Sequence, residues 1–588
     1  MLRIHTSSDL FSKKLITRFS IFRISVYAGL ICLGLGLFRA QLLMGAYFRN
    51  LSEQNRIRLV PSEAPRGRVF DSKGNLLATN RPSYDVVAIP EDITPAVISR
   101  LGRLLGLKDF EVRKRLTAPR EYPFAPAVIK EDISRTLAFQ IEERRPELPG
   151  VSIRVSFLRS YPYKETASHL IGYIGKISPE EYQWLDHKRY GLNSLIGRMG
   201  IERIFDEKLR GMRGGRQMEV NARGELIKVI SERMPEPGED IILTLDLEFQ
   251  SRIMDLIRIR HASVAVLDLA SDSVLVLASS PAFDPNVFVA PGNDQIRLGL
   301  IQSEEAPLLD RGVGSAYPPG SVFKLVTALT ALETGKITPE TRFYCKGLLR
   351  LRPGGRPYRC WRQQGHGSLN LYEAIERSCN VYFYNVAKRV SPDDIAHYAR
   401  QLGLGERMRL EVLNIAPGLV PDSIWKKERF HDKWYQGETL SYAIGQSYLL
   451  VSPIQMLRLV AIIAKNGIYA EPHLVMEDTS RSRSPQRVAI REENLKAIKR
   501  GMIQVVESDY GTGQLARVDF NKMAGKTGTA QSPPKEPHSW MTGFFPATDP
   551  QIAFVVFVEH GGSGGITSAK IVKEMLHIWK ELYVAKAA

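Results

Sequence analysis

The apolar and polar positions of this chain fall into three regimes. The first is one apolar block. Ile24 to Phe38 runs 15 residues without a charge, and after Arg39 the apolar character resumes through Ala40-Gln41-Leu42-Leu43-Met44. A helix needs about 20 such residues to span a bilayer. The block reaches that length when Arg39 carries its guanidinium to the interface on its aliphatic stem. A cleavable signal peptide is the rival reading, but no clean small-x-small cleavage site follows. The pattern predicts an uncleaved anchor over 23–46 behind a tail of 1–22. Lys13, Lys14, Arg18 and Arg23 precede the block, which puts the N-terminus in the cytoplasm and the bulk of the chain outside.

The second regime, 47–236, mixes short alternating runs with charged helical stretches. Val69-Phe70-Asp71 and Leu76-Leu77-Ala78, separated by Gly74, read as strand, turn, strand. Tyr84 to Ile89 and Val151 to Val155 are strand-like, and Ile133 to Glu143 is helical. Nothing there has the spacing of a catalytic site, so the region reads as a structural or docking module. Pro235-Glu236-Pro237-Gly238 marks a boundary. The third regime, 237–588, opens with Ile241 to Asp246. An apolar hairpin follows over Ala262 to Leu269 and Val274 to Ala278, then helices over 321–465. Strands return around Lys526 and over Ile552 to Glu559. Strands, then helices, then strands predict an α+β fold.

Composition narrows the partners. A chain of 588 residues exceeds one domain, and 44% apolar residues suit globular folding. The net charge of +17 admits anionic partners. No finger-like repeat or aromatic-interleaved basic module accompanies it, which argues against nucleic acid. A basic exterior suits an anionic membrane or wall polymer.

Three short motifs carry chemistry by their order. Ser321-Val322-Phe323-Lys324 follows Tyr317-Pro318-Pro319-Gly320. Ser378-Cys379-Asn380 comes 57 residues after Ser321, and Lys526-Thr527-Gly528-Thr529 comes 148 residues after Ser378. Each alone is common: a capping serine, a polar turn, a threonine-rich strand. The last even mimics a phosphate loop, but no glycine stands five residues before Gly525. Together they describe a serine nucleophile served by lysine. Pro-Pro-Gly ends an extended segment and starts a helix, which sets Ser321 and Lys324 on one face. A neutral lysine takes the serine proton when burial and a nearby cation, here Lys526, depress its pKa. Ser378 and Asn380, two apart, point the same way. Thr527 and Thr529 offer hydroxyls to a terminal carboxylate, and Gly528 leaves room on an edge strand for a close-lying substrate strand.

At these residues the chain resembles the penicilloyl-serine transferases, and from Arg66 onward the class B penicillin-binding proteins. Arg159-Ser160-Tyr161-Pro162, His169 to Tyr173, Asp284-Pro285-Asn286, Gly445-Gln446, Ser452-Pro453-Ile454-Gln455 and His538 to Phe544 extend the match. The resemblance implies a penicillin-binding transpeptidase domain, a five-stranded antiparallel sheet flanked by helices, on an elongated N-terminal pedestal of dimerisation type. It makes Ser378 a proton relay, sets Asn380 on the substrate backbone and Lys324, and forms an oxyanion hole from the N–H groups of Ser321 and Thr529. Two places depart from the pattern: Ser271-Asp272-Ser273, where a glycine turn is usual, and Ser447, where glycine is usual. Glu219-Val220-Asn221-Ala222-Arg223-Gly224 and Gly365-His366-Gly367-Ser368-Leu369-Asn370 resemble the elongation branch, with the division-specific paralogue as runner-up.

Of the four cysteines, Cys32 lies in the anchor. Cys345, Cys360, His366 and Cys379 form C-x14-C-x5-H-x12-C. Three thiolates and an imidazole suit tetrahedral zinc, and elongation-type relatives place a metal there. A Cys345–Cys360 disulfide and plain buried thiols remain open. A structural zinc would pin the loop of Ser378 and Asn380; the acyl chemistry itself needs no cofactor.

The reading is therefore an inner-membrane peptidoglycan D,D-transpeptidase of cell-wall elongation and shape maintenance, working through acyl-Ser321 and blocked by β-lactams. The resemblance implies stem peptides as substrates. Its implied partners are a SEDS-type glycosyltransferase (RodA-like) and other elongation-complex proteins. A D,D-carboxypeptidase, and a β-lactam sensor or scaffold, are the alternatives.

Overall fold

The computed structural model of the chain describes residues 8–47, 57–118, 125–186, 189–191, 194–220, 226–408, 410–411, 414–476 and 484–585. The run Asn221-Ala222-Arg223-Gly224 lies outside them. The chain divides into two compact units. One comprises Met1–Ala64, Tyr122–Ala125 and Met212–Glu236, and the other Pro65–Glu121, Pro126–Gly211 and Pro237–Ala588.

In the first unit a helix over Ser8–Phe38 continues into a π-helical turn, Arg39–Leu43. Arg18–Leu43, 26 residues, is the one helical segment among the described residues long and apolar enough to cross a membrane. The unit also holds an antiparallel sheet of Ile57–Ser62, Gly214–Val220 and Leu226–Arg233, with Gly214–Val220 central.

In the second unit the long strand Leu76–Ala88 organises the N-terminal body. It pairs with Val69–Phe70, Ala127–Ile133 and Val151–Ser160. Asp71 shapes the turn before it by accepting from the backbone N–H groups of Lys73 and Asn75. Ile241–Ile242, expected to open the catalytic domain, instead joins this sheet in parallel with Val69–Phe70. One apolar cluster runs across the boundary at 236/237, while Val86, Val97, Leu101 and Ile129 belong to a second cluster wholly before it. Val69, Leu77, Tyr161, Ile201 and Leu209 lie in the same apolar cluster as Phe249, Val264 and Val276.

The catalytic sheet contains β1 (Ala262–Asp268), β2 (Val274–Ser280), β3 (Ala524–Ser532), β4 (Lys535–Phe545) and β5 (Ile552–Val558), in the order β2-β1-β5-β4-β3. Every pair is antiparallel. Every residue of β5 is buried, so both faces of the sheet are covered. Helices Leu247–Ile257 and Thr567–Trp579 pack on the sheet and on each other; Pro453–Ala464 and Glu492–Glu507 form a second packed pair. In Pro453–Ala464 all residues but Arg458 are buried, which explains why the helix is apolar on nearly every side. The carboxy-proximal strand pattern thus closes into the predicted five-stranded α+β sheet, with β3 at its edge.

One polar joint ties the body to the segment after β2, and a second polar contact closes the body itself. Asn286 Oδ1 accepts from the Tyr161 N–H (2.9 Å) while Asn286 Nδ2 donates to the Tyr161 carbonyl (2.9 Å). Glu202, fully buried, takes Arg66 Nε and Arg159 Nε, each at 2.6 Å. Burial pushes the Glu202 carboxyl up, but the two guanidinium groups outweigh it and hold it below its ordinary value. Replacing Glu202 by alanine leaves Arg159 buried without a carboxylate, while Arg66 keeps Asp206 at 2.8 Å. We expect a loss of about 3–5 kcal/mol, read as a shift of the denaturant midpoint, whereas Arg68→Ala, an exposed partner of Asp240, should change it by less than about 1 kcal/mol.

Candidate active site

The three motifs converge at the edge of the sheet. Ser321 lies in a 3-10 turn, Gly320–Phe323, and Lys324 is the first residue of the α-helix Lys324–Glu333. The expected continuous helix is thus tighter at its start. Three residues per turn stack position i over i+3, which serves the same end. Ser321 is half-buried; Lys324 and Lys526 are wholly buried.

Glycines cradle the nucleophile turn. Gly320 (φ +56°) donates its N–H to the Gly445 carbonyl at 2.9 Å. A Cβ on Gly445 would stand 2.0 Å from the Gly320 carbonyl oxygen. A Cβ on Gly528 would meet Val322 Cγ2 at 2.8 Å and the Pro319 carbonyl oxygen at 2.9 Å. Gly528 is therefore bare to admit the serine's own turn, a different neighbour from the substrate strand expected there. Trp540, opposite Gly528 in the β3–β4 register, donates its indole N–H to the Pro318 carbonyl at 3.0 Å.

Ser378 stands at φ +50°, a left-handed conformation that a serine keeps only where its surroundings enforce it. Its hydroxyl lies 3.2 Å from Lys324 Nζ and 3.0 Å from Lys526 Nζ. Lys324 Nζ also donates to the Ser378 carbonyl (2.8 Å) and to Asn380 Oδ1 (2.7 Å). Both motif residues thus face the lysines. Burial pushes Lys324 down to about 8, against the pull of the Cys360 and Cys379 sulfurs. Burial, and then the charge of Lys324, push Lys526 well down. On β3, Thr527 is buried and hydrogen-bonds the Thr512 hydroxyl at 2.7 Å, while Thr529 is exposed. The role of Thr512, which also donates its N–H to the Glu376 carbonyl, left no signal in the sequence beyond a Gly-Thr-Gly turn.

Cys379 points away from the lysines. The donor atoms of Cys345, Cys360, His366 and Cys379 all lie within 4.8 Å of one another, and the three thiols are buried and free, with no Cys345–Cys360 bridge. His366 Nδ1 is 3.6 Å from each of the Cys345 and Cys360 sulfurs. A tetrahedral ion with ~2.3 Å bonds to sulfur and ~2.0 Å to nitrogen spaces such a pair at about 3.6 Å. The residues fit zinc in type, number and spacing. Hydrogen bonding from the Cys379 thiol pushes the Cys345 and Cys360 thiols down and Cys379 itself up. Besides Cys379, which lies between Ser378 and Asn380 in the chain, the cluster reaches the site through the carbonyl of Arg359, next to Cys360, which accepts from Asn380 Nδ2 at 3.3 Å. A backbone contact leaves no mark in the sequence.

Both departures from the family pattern sit at positive φ, Asp272 at +58° and Ser447 at +72°, which is why glycine suits them. Asp272 is held there by Lys465 Nζ at 2.7 and 2.9 Å.

An edge strand, a serine–lysine turn and a relay hydroxyl between two buried amines define an acyl-transfer site of the penicillin-recognising type. Residues 262–577 match the penicillin-binding protein transpeptidase domain, and 61–243 the penicillin-binding protein dimerisation domain. The chain belongs to the penicillin-binding protein family. Its curated relatives include peptidoglycan D,D-transpeptidases. It is 31% identical to the peptidoglycan D,D-transpeptidase MrdA of Escherichia coli K12 over 574 residues, 92% of this chain and 90% of that one. A structure of penicillin-binding protein 2 of Helicobacter pylori with MreC superposes with a TM-score of 0.82 at 27% identity, covering 90% of this chain and all of that one. A peptidoglycan synthase complex, described as coordinating polymerization and crosslinking, superposes at 0.72 and 30% identity, covering 96% and 98%.

The lysine values set a pH dependence. Only the neutral amine of Lys324 accepts a proton, so acylation by benzylpenicillin should rise with pH and reach half its plateau near pH 8. Stopped-flow acylation rates across pH 6 to 10 read this directly, and a flat or falling profile there would remove Lys324 as the base.

Proposed function

We propose that the chain is the D,D-transpeptidase of cell-wall elongation and that Ser321 carries the acyl group. The observation that carries this reading is the Ser378 hydroxyl held at 3.2 and 3.0 Å between two buried lysine amines, beside a half-exposed serine. Neutral Lys324 takes the Ser321 proton as Oγ attacks the penultimate D-alanine carbonyl of a stem peptide. The N–H groups of Ser321 and Thr529 receive the oxyanion. The proton returns through Ser378 to the departing D-alanine amine, and Lys526, Thr527 and Thr529 hold the terminal carboxylate. A neighbouring stem's amine then takes the acyl group. Ser321→Ala should abolish covalent labelling by penicillin while the melting temperature stays within a few degrees; retained labelling would sink the assignment.

The apolar helix serves as a single-pass inner-membrane anchor with the N-terminus in the cytoplasm, a reading supported by Arg18 and Arg23 at its start. Protease added to spheroplasts should then degrade nearly all the chain; a protected catalytic domain would reverse the orientation. The partners of the neighbouring structures, MreC and a polymerising synthase subunit, support an elongation complex with a RodA-like glycosyltransferase.

Cys345, Cys360, His366 and Cys379 hold a structural zinc. The ion supplies a rigid cross-link and takes no part in the acyl chemistry. Its loss loosens the loop that presents Ser378 and Asn380. His366→Ala should release the metal, lower the melting temperature and slow acylation without abolishing it. Elemental analysis of the chelator-washed protein beside a thiol count checks this: stoichiometric zinc with three titratable buried thiols is expected, and no metal in the wild type would refute it.

A further inference from the structure

The hairpin that rises from the cysteine cluster carries more charge than its packing needs. Its strands, Leu348–Arg350 and Pro357–Arg359, pair antiparallel, Leu348 opposite Arg359 and Arg350 opposite Pro357. One face is anchored: Leu349, Leu351 and Tyr358 pack on the core, with the Tyr358 ring 5.7 Å from that of Tyr384. The alternation of a strand turns Arg350 and Arg359 to the other face. Arg352 and Arg356 flank the turn, and Lys346 and Arg362 stand at the base. All six cations are exposed, and the sequence from Thr341 to Tyr372 contains no Asp or Glu. Among the described residues none of the six forms an ion pair, whereas nearby Arg342 pairs with Glu373 at 3.3 Å. Six unneutralised cations on one small hairpin repel each other, an arrangement that an anionic ligand relieves.

The hairpin is also wired to the catalytic residues. The Arg359 carbonyl accepts from Asn380 Nδ2 and from the Tyr384 hydroxyl, each at 3.3 Å. Trp361, 58% exposed, donates its indole N–H to the carbonyl of Arg377, the residue before Ser378, at 3.0 Å. An exposed ring between a basic ribbon and the relay serine suits a sugar face beside carboxylates.

We propose that this hairpin is a docking arm for the peptidoglycan strand itself, a glycan bearing stem-peptide carboxylates at regular intervals. The arm holds a strand by its carboxylates and by stacking on Trp361, and so raises the local concentration of stems at Ser321. This rests on the transpeptidase reading above. A membrane rich in anionic lipid offers similar charge, but nothing in it uses the contact to Asn380 and Arg377, so the strand is favoured.

The test uses the full-length protein in detergent and a triple variant, Arg350→Gln, Arg352→Gln, Arg356→Gln, which spares the cysteine cluster and every catalytic group. Acylation by benzylpenicillin should be unchanged in the variant. Loss of acylation in the wild type would refute the transpeptidase reading rather than the arm. Binding is measured by co-sedimentation with uncross-linked glycan strands, native or with their carboxylates chemically amidated. The wild type should bind native strands at least about tenfold more tightly than amidated ones, and the preference should fall as salt rises. The variant should lose most of that preference, by about tenfold. Equal binding of native and amidated strands by the wild type, or an unaltered preference in the variant, would overturn the proposal. So would a variant that loses binding to phosphatidylglycerol vesicles while keeping its strand preference, which would assign the arm to the membrane.

Discussion

Two amines buried against one hydroxyl form the constraint around which this site is built. Lys324 and Lys526 both bond to Ser378 Oγ, at 3.2 and 3.0 Å, so their nitrogens stand no more than about 6 Å apart. Two unit charges at that distance repel by about 3 kcal/mol at an effective dielectric of 20, equivalent to about two pKa units. No carboxylate contributes to either shift. The interior therefore disfavours double protonation, and one amine sheds its proton near neutral pH. A general base without histidine follows from burial and like charge alone.

Keeping the two lysines there requires three separate segments to meet within hydrogen-bonding distance. The segments differ in rigidity. Lys526 sits on β3, fixed by its register with β4, where Lys526 faces Thr542 and Gly528 faces Trp540. Lys324 sits on a helix buried on nearly all sides. Ser378 lies in a loop, in a conformation serine does not choose. The bare Cα positions of Gly320, Gly445 and Gly528 let the nucleophile turn press against both β3 and the loop at Gly445. The weakest of the three holds is the loop of Ser378, and that loop carries Cys379.

Much of this was legible before any coordinates. The order of the three motifs pointed to the chemistry, because a serine three residues before a lysine, followed by a second hydroxyl and a second lysine, supplies a nucleophile, a base and a relay. The runs Ala262 to Leu269 and Ile552 to Glu559 announced central strands, because burial on both faces leaves no polar alternation. What failed to register was carried by backbone or by long-range pairing. Ile241–Ile242 has the composition of any short strand, and only its parallel pairing with Val69–Phe70 reveals which sheet owns it. Glu202 reads as a surface residue of a charged helix until Arg66 and Arg159 close on it. The Arg359 carbonyl has no side-chain signature. Asp272 and Ser447 looked like departures from a pattern, and the backbone explains both, since each occupies a left-handed position that glycine tolerates, with Lys465 holding the Asp272 side chain there.

The alternation in Ser378-Cys379-Asn380 lets one tripeptide serve two sites. Ser378 and Asn380 face the lysines, and Cys379 faces the other way, capping the helix Asn380–Ala387 by accepting from the Tyr382 N–H. Any force on the Cys379 sulfur is transmitted through one peptide unit to the relay hydroxyl and through another to Asn380. The cluster also fixes the base of the arginine hairpin through Cys345 and Cys360. Order at the sulfurs, presentation of Ser378 and the set of the arm are thus one mechanical unit, and none of the three can loosen without the others. A site that must hold a neutral amine beside a strained serine gains from a shared anchor, because one ordered centre then fixes both at the entropy cost of one.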